Sequence, residues 1–176
     1  MSAAAVLLRG VPIFASERTL TELALAREHG VTVLRDKVKA SIGGWDVLPF
    51  TVKHDAPGTL GFLIRAPDGD QILFATDTGY IPVTAEGCTH LAIECNYSEE
   101  ALENSDHPER AARAYQNHMG IERVLAMLES NDLSAVREIW LLHLSAEHGD
   151  ADGFVAQVQG HTGIPCYIAG GRKGDA

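Results

Sequence analysis

Three apolar runs in this chain each end in a residue type that binds metal, and that pattern restricts the folds open to it. Trp45 to Val52 leads to His54, Ile72 to Ala75 leads to Asp77, and Glu138-Ile139-Trp140-Leu141-Leu142 ends in His143. Short runs rich in β-branched, aromatic and aliphatic residues, bounded by turn residues, read as strands. Strand ends on one edge of a sheet bring together residues that are far apart in sequence. Imidazole and carboxylate form a donor set that borderline metals such as zinc accept. His54, Asp77 and His143 are therefore candidate ligands of one centre. Each also has a plainer reading: His54 as a turn histidine bonded to its neighbours, Asp77 as the stabiliser of its own turn, His143 as a satisfied core histidine.

The rest of the chain supplies the scaffold. Ala3 to Leu8 reads as the last turns of a helix stopped at Gly10, and Val11 to Ala15 as a short buried strand. Ser16 is a good N-cap for a helix through about His29, closed by Gly30, with Val31 to Leu34 a strand after it. Between Trp45 and Ala75 the pattern is β, with Leu60 to Arg65 and Ile72 to Ala75 joined by the turn Pro67-Asp68-Gly69-Asp70. Leu91 to Cys95 is a further buried strand. Ser98 to Ser105 reads as a helix with Glu99 and Glu100 in its first turn. His107-Pro108 breaks the chain, and helical patterns cover Glu109 to Asn117 and Ile121 to Leu128. Glu138 to Leu144 is continuously apolar, the pattern of a strand buried on both faces. A helix over Asp150 to Gln159 and a strand over Pro165 to Ala169 complete the order, followed by a Gly-rich polar tail. Helix alternates with strand in the second half, so the fold class is α/β.

Charge and cysteine content narrow the function. The chain has 176 residues, enough for one domain with a real core, and a formal net charge of −10. That charge opposes sequence-independent binding to nucleic-acid backbones. It leaves a nuclease open, because a metal supplies positive charge locally. Cys88, Cys95 and Cys166 form no CxxC spacing, which fits a reduced, cytoplasmic chain. No uncharged run is long enough to span a membrane, and the first residues lack the basic stretch of a signal peptide. G-x-S-x-G and phosphate-loop motifs are absent. His118, just before the helix at Ile121, stands where a proton donor or anion-binding group belongs, with capping as the alternative. His148, five residues after His143, reads as a loop histidine, with a supporting role behind the site as the alternative, and His29, His90, His107 and His161 read as surface residues.

Taken together, these segments resemble the metallo-β-lactamase-fold hydrolases. Val52-Lys53-His54-Asp55 followed by Gly61-Phe62-Leu63-Ile64 is similar to that family's third metal motif. Phe74-Ala75-Thr76-Asp77-Thr78-Gly79 is similar to the fourth, whose Asp bridges two metals. Leu141-Leu142-His143-Leu144-Ser145 is similar to the fifth. Order and spacing match over nearly the whole chain. The phosphodiesterase and nuclease side of the family, including the tRNA 3′-processing ribonucleases, looks most similar. There a helix-start histidine ahead of the fifth motif helps protonate the leaving group, which the resemblance assigns to His118. Glu94 and Asn96, at the place of a Glu-x-Asn in relatives, are implied as supporting residues.

The family signature His-x-His-x-Asp-His is absent from this sequence. In relatives it precedes a run like Leu7 to Ser16. The resemblance therefore implies the C-terminal part of an αββα sandwich with its first sheet largely missing: residues 1–170 as a partial domain, 171–176 as a flexible tail. It implies zinc as cofactor, two ions in a complete site, with manganese as the alternative. It assigns His54 and Asp77 to one ion and Asp77 and His143 to the other, two protein ligands each. Three functions are open: a phosphodiester hydrolase seen as a truncated chain, weakly active alone; a half-domain completed by another chain; and a degenerate binding module. The expected partners are a small-molecule or nucleic-acid phosphodiester, no membrane, and a second copy or partner chain covering the exposed sheet.

Overall fold

The backbone turns where its glycines and caps allow. Gly43 and Gly44, both at positive φ, close a two-residue hairpin between β3 (Ala40–Ile42) and β4 (Trp45–Thr51). The sequence reading does not foresee β3, which is only three residues long and lies in a polar stretch. The Pro67–Asp70 turn closes the next hairpin, β5 (Leu60–Arg65) against β6 (Gln71–Ala75), with the Ala66 N–H donating to Asp70 O at 2.8 Å. These coordinates are a computed structural model, which describes residues 11–24 and 30–169. The expected helix at Ala3 to Leu8 and the tail at 171–176 lie outside them.

β1 (Ile13–Ser16) and β2 (Val31–Leu34) pair in parallel as a separate two-stranded sheet. Between them lies α1 (Glu17–Glu22), where the Ser16 hydroxyl accepts from the Thr19 N–H as the expected N-cap. The helix is shorter than expected, ending at Glu22; residues 25–29 lie outside the described set. β7 (His90–Glu94), β8 (Glu138–Leu142) and β9 (Cys166–Ile168) extend the large sheet to seven strands in the order β3-β4-β5-β6-β7-β8-β9. β3 to β6 are antiparallel and β6 to β9 parallel. The β7–β8 crossover carries α2 (Glu99–Glu103), α3 (Pro108–Asn117) and α4 (Ile121–Glu129); β8–β9 carries α5 (Ala151–Thr162). Ser98 and Asp150 cap α2 and α5, and Pro108 opens α3.

One face of the large sheet carries the core. Leu73, Leu91, Ile93, Ile139 and Leu141 pack with Val124 and Leu128 of α4 and Phe154 and Val158 of α5. Each such side chain contributes about 1.5–3 kcal/mol by burial. The other face is only partly covered. In β8 the buried Ile139 and Leu141 alternate with half-exposed Trp140 and Leu142, so the expectation that this strand is buried on both faces is corrected. Trp140 packs on Tyr167 instead, their rings 4.8 Å apart. All three cysteines are free and buried, and burial pushes the Cys166 thiol up to about 11. Among the described residues, no helix is long and apolar enough to cross a membrane.

Candidate metal centre

The parallel strands β6, β7 and β8 end side by side, and their C-terminal ends deliver Asp77, Glu94 and His143 to one edge. Asp77 and His143 both adopt left-handed backbone, at φ 51° and 55°. Such conformations cost L-residues free energy and concentrate where surrounding contacts hold them in place. Those contacts are identifiable. The Gly79 N–H donates to Lys53 O at 2.9 Å, which draws the loop after Asp77 against the segment carrying His54. A Cβ at Gly79 would come 3.0 Å from Gln116 O, so this approach tolerates little more than glycine. The Asn96 amide donates to His143 O at 2.7 Å, and the Asn96 carbonyl accepts from the Ser145 N–H at 2.9 Å. Asn96 thus clamps the turn that presents His143.

Glu94 is the centre of the arrangement. Its side chain is fully buried, and among the described residues no Lys or Arg pairs with it. Oε1 lies 2.7 Å from His118 Nδ1 and 2.8 Å from His143 Nδ1. Oε2 accepts from the Thr78 N–H. This carboxylate holds His118 above the ordinary imidazole pKa through their hydrogen bond, against the opposing effect of burial. The ring of His118 stands between those of His54 and His143, 5.1 Å from each.

Asp77 Oδ1 lies 3.9 Å from His54 Nε2 and 3.5 Å from His143 Nδ1. One donor atom each from His54, Asp77 and His118 fall within 4.8 Å of one another, and so do those of Glu94, His118 and His143. The donor chemistry fits a divalent ion. With Nδ1–H of His118 and of His143 turned to Glu94, each ring keeps Nε2 for a ligand, the carboxylate–histidine arrangement that orients metal-binding imidazoles. The Nδ1 of His54 accepts from the Ala56 N–H at 2.9 Å, which puts its proton on Nε2, so that contact must give way before Nε2 can ligate. The resemblance pairs Asp77 with His54 and with His143; in the structure His118 is common to both donor groups, and His143 is closer to Glu94 than to Asp77.

His54, Asp77, Asn96, His118 and His143 line an open polar cavity of about 510 Å³, whose wall also includes Arg110, Arg113 and His148. The sequence pattern marks neither arginine as a site residue. Arg113 donates from Nε and Nη2 to Asp55 Oδ2 at 2.9 and 2.8 Å, a pair 58 residues apart for which the local pattern holds no signal. His148 is not a free loop histidine: it is buried, with Nε2 2.9 Å from Ser105 Oγ. His90 is half-buried against Thr89, whereas His107 and His161 are exposed; His29 is outside the described residues. A second, more apolar cavity of about 460 Å³ lies between the Gly79–Thr84 loop and α4, with Arg123 its one charged lining residue.

No family model and no curated protein matches this sequence. Solved structures do match. The fold is similar to the metallo-beta-lactamase fold protein YhfI from Bacillus subtilis, with TM-score 0.67 and 15% identity over 90% of this chain and 62% of that one. It is similar to a diphosphatase from the PhnP family, with TM-score 0.58 and 14% identity over 90% of this chain and 55% of that one. It is also similar to CmlA, a diiron beta-hydroxylase from Streptomyces venezuelae, with TM-score 0.57 and 14% identity over 89% of this chain and 38% of that one. The chain thus spans less than two thirds of the length of these structures. The structural likeness over nearly all of this chain establishes that it has the metallo-β-lactamase fold.

Proposed function

We propose that this chain belongs to a metal-dependent hydrolase acting on phosphodiester bonds. His54, Asp77 and His143 are its ligands to divalent metal, zinc or manganese, and His118 is the proton donor to the leaving group. The observation that carries this reading is the contact of His118 Nδ1 with the buried Glu94, inside the same donor groups as Asp77 and His143. A buried carboxylate fixes the ring, favours its protonated form and leaves Nε2 as the atom from which a proton passes to a departing alkoxide. Metal bound there would polarise a phosphoryl oxygen and lower the pKa of a bound water. Asn96 and Thr78 keep His143 and Glu94 in register, and the open cavity admits an ester with groups on both sides of the scissile bond.

The test is metal content of the purified protein together with hydrolysis of bis(p-nitrophenyl) phosphate. Asp77→Ala and His143→Ala are expected to release the metal. His118→Ala is expected to retain it and to lose about 10²-fold or more in rate. Metal retention after changing all three ligands, or a His118→Ala variant as fast as the parent, overturns the assignment.

A second reading is favoured by the coverage of the solved structures and by ligand counting. Catalytic zinc takes three protein ligands and a water, whereas Asp77 with His54, or with His143, supplies two. Further ligands would come from another polypeptide, which would also cover the half-exposed face at Trp140 and Tyr167. Light scattering of the purified protein separates the readings: a monomer with stoichiometric metal excludes completion by a partner.

A further inference from the structure

We propose that Asp55, held by Arg113, is the positioning residue of His54: it accepts a hydrogen bond from Nδ1–H and so leaves Nε2 as the atom that meets the metal. The inference rests on the metal-centre reading and names the pair that makes His54 competent for it.

The three imidazoles of the centre are held unequally. His118 and His143 each set Nδ1 against Oε1 of the buried Glu94, at 2.7 and 2.8 Å. His54 has Asp77 on its ligand side, 3.9 Å from Nε2. On its other side two groups compete for one atom. The Ala56 N–H donates to Nδ1 at 2.9 Å, and Asp55 Oδ1 lies 3.2 Å from the same nitrogen. A neutral imidazole carries one ring proton. With that proton on Nε2, Nδ1 serves Ala56 and Nε2 has no lone pair to offer. With the proton on Nδ1, the ring N–H and the Ala56 N–H face each other, and Asp55 Oδ1 is the acceptor within reach. Nε2 then presents its lone pair toward Asp77. Asp55 therefore favours only the ligating tautomer. The Ala56 N–H loses its acceptor in the exchange, but Ala56 is exposed and water replaces it.

Arg113 places Asp55 for this role. Its Nε and Nη2 both donate to Oδ2, at 2.9 and 2.8 Å, which occupies that oxygen and leaves Oδ1 for His54. Arg113 stands on α3, the helix that has His118 as its C-terminal cap, so the pair ties the loop of His54 to the element that presents the proton donor. Stability does not account for the pair. The Arg113 side chain is 71% exposed and that of Asp55 40%, and ion pairs so exposed contribute little. A carboxylate on the far nitrogen of a metal-binding imidazole, by contrast, fixes its tautomer and raises its basicity.

The test reads the ring nitrogens directly. Two-bond ¹H–¹⁵N correlation spectra of the labelled protein are recorded at pH 8, above the ordinary imidazole range, first metal-free and then with Zn²⁺ added stepwise. In the parent, the His54 proton is expected on Nε2 without metal and on Nδ1 with Zn²⁺. Asp55→Asn is the informative variant. Asn keeps a carbonyl for Arg113, so a merely structural contact largely survives, but the amide NH₂ then faces Nδ1 and favours the non-ligating tautomer. This variant is expected to keep the His54 proton on Nε2 at Zn²⁺ concentrations that convert the parent, and to bind Zn²⁺ about 10–100-fold more weakly in competition with a chelator. Arg113→Ala is expected to lose about tenfold or less, and Arg113→Lys to recover part of that. A proton that moves to Nδ1 as readily in Asp55→Asn as in the parent overturns the proposal. Zn²⁺ that perturbs the rings of His118 and His143 while His54 keeps its proton on Nε2 also overturns it, and leaves the metal centre standing. Zn²⁺ that perturbs none of the three rings overturns both.

Discussion

Replacing Glu94 by Gln tests the centre of the site with the smallest change of shape. The carboxylate accepts from the Thr78 N–H on one oxygen and faces the Nδ1 atoms of His118 and His143 with the other. Glutamine keeps one acceptor and turns the second into a donor. In the less costly orientation the amide carbonyl faces the two imidazoles and the NH₂ meets the Thr78 N–H. That leaves two buried donors facing each other without an acceptor, the Thr78 N–H and the amide N–H, about 1–3 kcal/mol each, and removes the charge assistance from two further hydrogen bonds. Relief of a buried charge offsets part of the loss. The expected net destabilisation is about 2–4 kcal/mol by urea denaturation, a melting temperature lower by about 4–16 °C for a chain of this size. Its pH dependence has a definite sign. The folded-state pKa of His118 lies above its ordinary value of 6.5, mainly through the Glu94 hydrogen bond. The stabilisation from that proton is fully present below 6.5 and is lost as the pH rises through the folded value. The stability gap between parent and variant should therefore be widest near pH 6 and narrow at alkaline pH. In the metal-free protein, NMR titration of His118 should show its pKa fall in the variant. A variant within about 0.5 kcal/mol of the parent at pH 6, with an unchanged His118 titration, would refute the role given to Glu94.

Three further substitutions probe the scaffold. Asn96→Ala removes the donor that holds His143 O; it should cost about 1–2 kcal/mol and lower metal affinity about 10–100-fold, as read by competition with a chelator. Gly61→Ala would place a Cβ 2.4 Å from the ring of Phe50 in the core; overpacking should cost about 1–3 kcal/mol, seen as a lower urea midpoint. Lys37→Gly acts in the opposite direction. Lys37 is exposed and sits at φ 57°, where glycine has no steric penalty; a gain of about 0.5–1 kcal/mol is expected by the same measurement.

The strands other than β3, the cap at Ser16, the break at His107-Pro108 and the α/β class are legible in the sequence. Each depends on residues within a few positions of one another: alternation for strands, a side chain reaching an amide three residues on for a cap. His54, Asp77, His118 and His143 can be singled out for the same reason, since each stands beside an element end that the local pattern marks. Three things are decided only by tertiary structure. The first is the grouping at Glu94, whose contacts to His118 and His143 span 24 and 49 residues and depend on parallel pairing of β7 and β8. The second is the half-exposed face at Trp140, which reads as buried because an apolar run carries no record of whether a layer packs against it. The third is Arg113 on the cavity wall, a surface arginine on a helix that acquires meaning only from Asp55, 58 residues away. Local physics writes the elements and marks their ends; which ends meet, and what stands opposite them, is set by how the sheet is assembled.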